Sequence, residues 1–508
     1  MRPSRAAAVL ALALTVVVAG SSGAAAAPGD PVPGSPAYLA RDAQNIADAY
    51  GRQTAPDGQL SPAYGLASAQ YIDPVFAADL QAQAARPTRP ALTPAMAVPG
   101  WNSGNPYRKD WAGTRGTMTP VSFTDRYGAL LQGDVFAPKP AATDPYTGKE
   151  LTGPFPGVVI TTGSVQGSER MHWWLAQDLA ERGYVVLTYD VQGQGRSETF
   201  PHTGDVEDLP YCDLAAPPAP GEQTSCPEVP SQQTSNFVYG TEDAIDFFLS
   251  TPSAPYANPG AGSAQVDGFN PLWQQFDRSP DPASATPGRT TRLALVGHSL
   301  GALAVSYVQG VDDRVEAVVA LDKLSTSTAI ANSPEFTAQG ALKPVVPGLG
   351  VQSEYGFTVA PYFANPGLFD SQGVTSPTQA PDPNREEKTG YDGWKAAGVD
   401  SMVVVPRAST HLEYTDIAYV LPASRYGQDV ASHYTQAWLG KYLQHDPAAD
   451  DALLATSFDY LEPTSTGAWE PVTLNRADRL SFYFCSGYDI GTAGGRQSDD
   501  DIAGVGCE

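Results

Sequence analysis

Ser299 has the surroundings a serine needs to act as a nucleophile. It lies in Gly297-His-Ser-Leu-Gly301, directly after the apolar run Leu293-Ala-Leu-Val296 and before small and apolar residues at helical spacing. A serine in a sharp strand-to-helix turn projects its hydroxyl above the sheet edge, and the residues two positions away must be small. Gly297 and Gly301 satisfy that requirement. The hydroxyl needs a base to take its proton, and the base needs an acid to orient it. Where the serine sits in a strand-to-helix elbow of this kind, these follow along the chain in the order serine, acid, histidine. His411 lies in the loop directly after the apolar run Ser401–Val405, where the base belongs, whereas His433 lies within the amphipathic stretch 430–442 and His445 at its end. Two carboxylates qualify as the acid. Asp322 ends the apolar run Val315–Leu321 and is preferred, because an acid at a strand's carboxyl end does site work in open sheets. Glu354, beyond the following run, is the alternative.

Such a set attacks a carbonyl carbon, and the oxyanion that forms needs two N–H donors. One is the backbone N–H of Leu300, next after the nucleophile. The other is expected from Gly163-Ser-Val-Gln-Gly167, with Ser164 as the donor. Trp173, Trp174 and Tyr355 are candidates to line an apolar acyl pocket, or else belong to the core. The glycine-rich stretch Asp190-Val-Gln-Gly-Gln-Gly-Arg-Ser197 lacks the Lys-Ser/Thr of a phosphate loop and reads as a turn after a strand.

The elements that must position these residues follow from hydrophobic patterning. Val121–Thr124 and Ala129–Ala137 read as a strand pair. Pro156–Thr162, Tyr184–Asp190, Leu293–Val296, Val315–Leu321, Pro344–Gly350 and Ser401–Val405 read as buried strands, the last of them closing the sheet. Arg170–Arg182, Gly240–Leu249 and Val430–Tyr442 read as helices. Strands that are apolar throughout and alternate with helices imply an α/β fold, with a mostly parallel central sheet covered on both faces. Alanine-rich stretches between 37 and 86 suggest a helical N-terminal extension, and residues 447–508 read as an irregular tail. The expected organisation is a leader over 1–27, the extension and a linker over 28–116, a catalytic domain over 117–446 and the tail.

The chain has 508 residues and a formal net charge of −25, which argues against nucleic acid or anionic membranes as partners. Met1-Arg-Pro-Ser-Arg5, an apolar run to Gly20 and small residues to Ala27 form the pattern of a secretory signal peptide cut near Ala26 or Ala27. The run is too short for a membrane anchor. The mature protein is therefore expected to be secreted, soluble and monomeric. Its four cysteines suit an oxidising compartment, with Cys212–Cys226 and Cys485–Cys507 the natural local pairs among three possible connectivities. No cysteine or histidine cluster suggests a metal, and no cofactor is expected.

Gly-His-Ser-Leu-Gly, the Asp190–Ser197 turn and the strand-then-His411 ending together resemble the α/β-hydrolase superfamily over roughly residues 117–445. Ala320-Leu-Asp322, Gln352-Ser-Glu-Tyr355 and Thr410-His411 are similar to the secreted platelet-activating-factor acetylhydrolases, in which the acid follows the strand after the elbow; that resemblance implies Asp322. Gly163-Ser164, Trp173-Trp174, Val359-Ala-Pro361 and a disulfide after the last helix resemble bacterial cutinases and polyester hydrolases. There the acid follows the next strand, which implies Glu354. The chain departs from the cutinases in its N-terminal extension, in carrying Glu where they carry Asp, and in insertions at 200–236, 252–290 and 362–398. Insertions of this kind shape the mouth of a site. The reading is a carboxylic ester hydrolase acting on a small-molecule or polymeric ester. A prolyl-type serine peptidase and a non-catalytic binding module on the same fold are the alternatives.

Overall fold

Runs of apolar residues that leave no polar side chain between them can only be strands covered on both faces. In the computed structural model, which describes residues 30–85, 104–164, 167–199, 234–326, 343–356, 359, 361–362, 376–383, 387–416 and 426–507, they form the middle of a ten-stranded sheet. β1 (Gly116–Thr124) and β2 (Leu130–Pro138) make an antiparallel pair, and β2 runs antiparallel to β4 (Val185–Tyr189). From β4 the sheet continues in parallel through β3 (Gly157–Thr161), β5 (Leu293–His298), β6 (Val315–Leu321), β7 (Gly348–Val351) and β8 (Ser401–Val404). The result is a mixed, mostly parallel α/β sheet.

Side chains alternate across the sheet and feed two cores. Val158 and Ile160 point to one, where α3 (Trp173–Ala180) contributes Trp174 and Leu179, and α7 (Tyr426–Leu439) contributes Tyr434 and Trp438. Val159 points to the other, filled by Phe237, Ile245 and Phe248 of α4 (Thr234–Leu249), Val305 of α5 (Leu300–Val308) and Trp394 of α6 (Glu387–Ala396). Burying each of these large side chains contributes roughly 1.5–3 kcal/mol. Two further helices, α1 (Pro36–Thr54) and α2 (Pro62–Ala84), precede the sheet.

The chain leaves β3 for β4 on one side and returns to β5 on the other. That reversal opens a crevice beyond the carboxyl ends of β3 and β5, where ligands bind in open α/β sheets.

Two expectations about the rest of the chain are corrected. β8 does not close the sheet, and the tail is not irregular. β9 (Ser457–Pro463) and β10 (Trp469–Asn475) form a separate hairpin, while β11 (Gly487–Thr492) and β12 (Gly495–Asp499) extend the main sheet antiparallel beyond β8. Their polar composition hid them, since an edge strand need not bury its faces; every residue of β12 is exposed. Within the insertion at 252–290, Asn258 and Asp267 bond to β1, and Phe276 bridges to Phe155 just before β3.

Candidate active site

The turn after β5 is tight for reasons visible atom by atom. Ser299 has φ 55° and ψ −119°, a conformation side-chain-bearing residues rarely adopt and that costs on the order of 1–3 kcal/mol. Close approach holds it there. A Cβ on Gly297 would lie 2.2 Å from the Gly301 carbonyl oxygen, and one on Gly301 would lie 2.4 Å from those of Thr161 and Thr162. Glycine at both positions is thus a steric requirement. Leu300 is the first residue of α5, so its N–H has no carbonyl a turn earlier in the helix to bond.

Three backbone bonds run across the carboxyl ends of neighbouring strands: Ser299 N to Leu321 O at 2.9 Å, Asp322 N to Val351 O at 2.8 Å and Gln352 N to Val404 O at 2.8 Å. They carry the sheet's hydrogen bonding one residue beyond each strand, and so hold the serine, the acid and the loop of the histidine in register. His411 opens a single helical turn, His411–Tyr414, with its own N–H donated to Gly356 O at 2.9 Å.

The three side chains meet in a line. His411 Nε2 is 2.9 Å from Ser299 Oγ, and His411 Nδ1 is 2.6 Å from Asp322 Oδ2. Asp322 also accepts from Ser353, through its Oγ at 2.7 Å and its N–H at 3.1 Å. Burial acts to raise the Asp322 pKa. The hydrogen bond and charge of His411 and the two bonds from Ser353 outweigh it and hold the carboxyl well below the usual range. Asp322 is therefore ionised wherever His411 works. Ser353 escaped the reading of the sequence; its only signal there is its position two residues past β7.

His298 is buried under this line. Its Nε2 lies 2.9 Å from the His411 carbonyl oxygen, so Nε2 carries the proton, and its ring sits 4.8 Å from the His411 ring and 5.3 Å from that of His172. Burial, with the neighbouring histidines adding to it, drives the His298 pKa well below its ordinary value, and burial brings His172 down to about 4. Both rings stay neutral and add no charge beside His411. Of the other histidines, His433 stacks on Phe458 and bonds Ala452 O, His445 bonds Asp281, and His202 lies outside the described residues.

Glu354 does not reach His411. It is fully buried, and its carboxylate accepts from Asn45 Nδ2 at 2.7 Å, Ala408 N at 2.6 Å and Ser481 Oγ at 2.6 Å. It thereby ties α1, the loop before His411 and the tail together. The aromatic lining is corrected as well. Trp174 is core, with its indole N–H on Tyr414 O at 3.1 Å. Tyr355 is buried against Tyr362, with its hydroxyl on Asn45 and Asp42. Trp173 lines a separate small cavity with Tyr71, Met118 and Asp416, and donates its indole N–H to Glu169.

Ser164 is half-buried in the loop after β3. A Cβ on its neighbour Gly163 would lie 2.9 Å from Ser299 Cβ, so this loop abuts Ser299. Cys485 and Cys507 form a disulfide with Cα atoms 6.2 Å apart. Their sulfurs are consequently not free for the metal that the nearby Asp501 would otherwise suggest. Cys212 and Cys226 lie outside the described residues. A serine hydroxyl bonded to an imidazole whose far nitrogen is held by an ionised carboxylate is an arrangement that can transfer acyl groups.

No family model matches the chain. An uncharacterized protein of Pseudomonas aeruginosa is 29% identical over 147 residues, which make up 28% of this chain. The match spans 37% of that protein's length.

Proposed function

We propose that the chain is a serine hydrolase of the α/β-hydrolase superfamily that cleaves carboxylic esters. The observation that carries this reading is the Ser299–His411–Asp322 line, with distances of 2.9 and 2.6 Å, mounted on a strained turn between β5 and α5. In the proposed cycle Ser299 Oγ attacks the ester carbonyl while His411 Nε2 takes the hydroxyl proton. Asp322 accepts the Nδ1–H bond and stabilises the imidazolium. The oxyanion is met by the N–H groups of Leu300 and of the loop at Ser164. Collapse expels the alcohol, which takes the proton from His411. Water, deprotonated by the same histidine, then releases the acid and restores Ser299. The residues in this cycle call for no cofactor.

Secretion is part of the same reading, supported by the pattern over Met1–Ala27 and by the Cys485–Cys507 disulfide. No helix among the described residues is long and apolar enough to cross a membrane.

The test compares wild type with Ser299→Ala on p-nitrophenyl esters from acetate to palmitate, with a polyester film and an aminoacyl amide alongside. Ester cleavage by wild type that falls by several orders of magnitude in the variant is expected. Equal, negligible rates in both proteins would sink the hydrolase reading, and faster cleavage of the amide would replace it with a peptidase.

A further inference from the structure

The side chain of Gln194 joins the turn after β4 to the loop after β3. Gln194 is fully buried, and its Nε2 donates to the Gly163 carbonyl oxygen at 2.9 Å and to Thr162 Oγ1 at 3.4 Å. A carbonyl oxygen can only accept, so the nitrogen end of the amide faces the loop. Gly167 completes the fit. A Cβ there would lie 1.9 Å from Gly163 O and 2.5 Å from Gln194 Nε2, so the amide reaches its partner only because residue 167 has no side chain.

Gln194 is delivered from a rigid base. Asp190 accepts from Glu169 N and Arg196 N, each at 2.7 Å, and Ser197 Oγ donates to Asp190 O at 2.7 Å. Within the turn, Gln194 N bonds Val191 O and Ser197 N bonds Gln194 O, both at 2.9 Å.

A trans peptide unit is planar and carries its C=O and N–H on opposite sides. The Gly163 carbonyl and the Ser164 N–H belong to one such unit. With the carbonyl turned into Gln194, the Ser164 N–H is turned the other way, in a loop that presses on Ser299. We propose that Gln194 is a positioning residue of the oxyanion site: by holding the Gly163 carbonyl, it keeps the Ser164 N–H aimed at the substrate oxygen above Ser299. Without that bond the peptide can turn over and present a carbonyl oxygen where a donor is needed. This assignment rests on the hydrolase reading above.

Gln194→Met keeps the length of the side chain and removes the donor. On p-nitrophenyl butyrate its kcat is expected to fall about 100-fold, the effect of losing one oxyanion donor, with KM little changed. Affinity for phenylboronic acid, which forms a tetrahedral adduct on the serine, should fall by the same factor as kcat/KM. A purely structural role would lower the melting temperature without that matched loss. Full kcat in Gln194→Met, or lost kcat with undiminished boronate affinity, overturns the proposal. Should the variant fail to fold, a crystal structure of the wild-type fluorophosphonate adduct decides the matter. The phosphoryl oxygen is expected within about 3.1 Å of Ser164 N, and an oxygen facing away from it overturns the assignment. Wild-type protein inert toward both the ester and the fluorophosphonate would overturn the hydrolase reading together with this one. An active wild type matched by an equally active variant would overturn this one alone.

Discussion

A carboxylate orients a histidine only if its own oxygens are already held. Asp322 meets that condition through Ser353 and faces His411 Nδ1, whereas Glu354 spends its oxygens on Asn45, Ala408 and Ser481. The two carboxylates separate cleanly under amide substitution. Asp322→Asn should lower kcat about 10⁴-fold, because the amide favours the wrong imidazole tautomer. Glu354→Gln should leave kcat near wild type and cost ~1 kcal/mol of stability, since one acceptor becomes a donor in a buried network. Ester kinetics and urea unfolding of both variants check the pair. The reverse ranking would move the acid to Glu354.

At the scale of elements, β2, β4 and the turn before α3 meet over a charge imbalance. Asp134, Glu169 and Asp190 crowd Arg196, whose guanidinium lies 3.0 Å from Asp134, 2.6 Å from Glu169 and 3.8 Å from Asp190. Burial first, and then the charge of Glu169, push Asp134 up to about 8 and Asp190 to about 7. A folded-state pKa above the unfolded value means that the native protein binds the extra proton, so this stability is present at low pH and lost as pH rises. The buried His172 has the opposite sign, its contribution growing up to its unfolded pKa of about 6.5. Between roughly pH 6.5 and 8 the raised carboxyls act, Asp125 and Glu316 at about 7 adding to this cluster, and the melting temperature should fall across that window. Asp134→Asn should flatten the fall. A wild-type profile level over the same range would show that these elements hold no shared proton.

The whole molecule is a sheet extended at both ends, and its tail is locked by a covalent link. Cys485 precedes β11 and Cys507 follows β12, so the bond, with a sequence separation of 22, closes a loop around the strands that shield the β8 edge. Cross-linking a loop of this size restrains the unfolded chain by about 3 kcal/mol. Cys507→Ser should therefore lower the melting temperature under oxidising conditions while leaving ester turnover at low temperature unchanged. Reductant should lower the melting temperature of wild type by more than that of the variant, which has already lost the Cys485–Cys507 bond.

How far such features could be read in advance depends on the distance over which each is determined. The central strands were legible because a strand buried on both faces must be apolar throughout, and the elbow because two glycines flank its serine at spacings that sterics impose. The order of Ser299, Asp322 and His411 along the chain, each at the end of an apolar run or in the loop after one, likewise placed them at one edge of a sheet. The choice between Asp322 and Glu354 needed the tertiary structure. Both end neighbouring strands, and only the contacts of Ser353 with one and of Asn45 and Ser481 with the other, up to 309 residues away in the chain, set them apart. The burial of Trp174, the strands hidden in the polar tail and the reach of Gln194 to Gly163 belong to the same class. Local patterning determines which segments are buried, while the partner a buried polar group finds is decided only when distant segments are packed together.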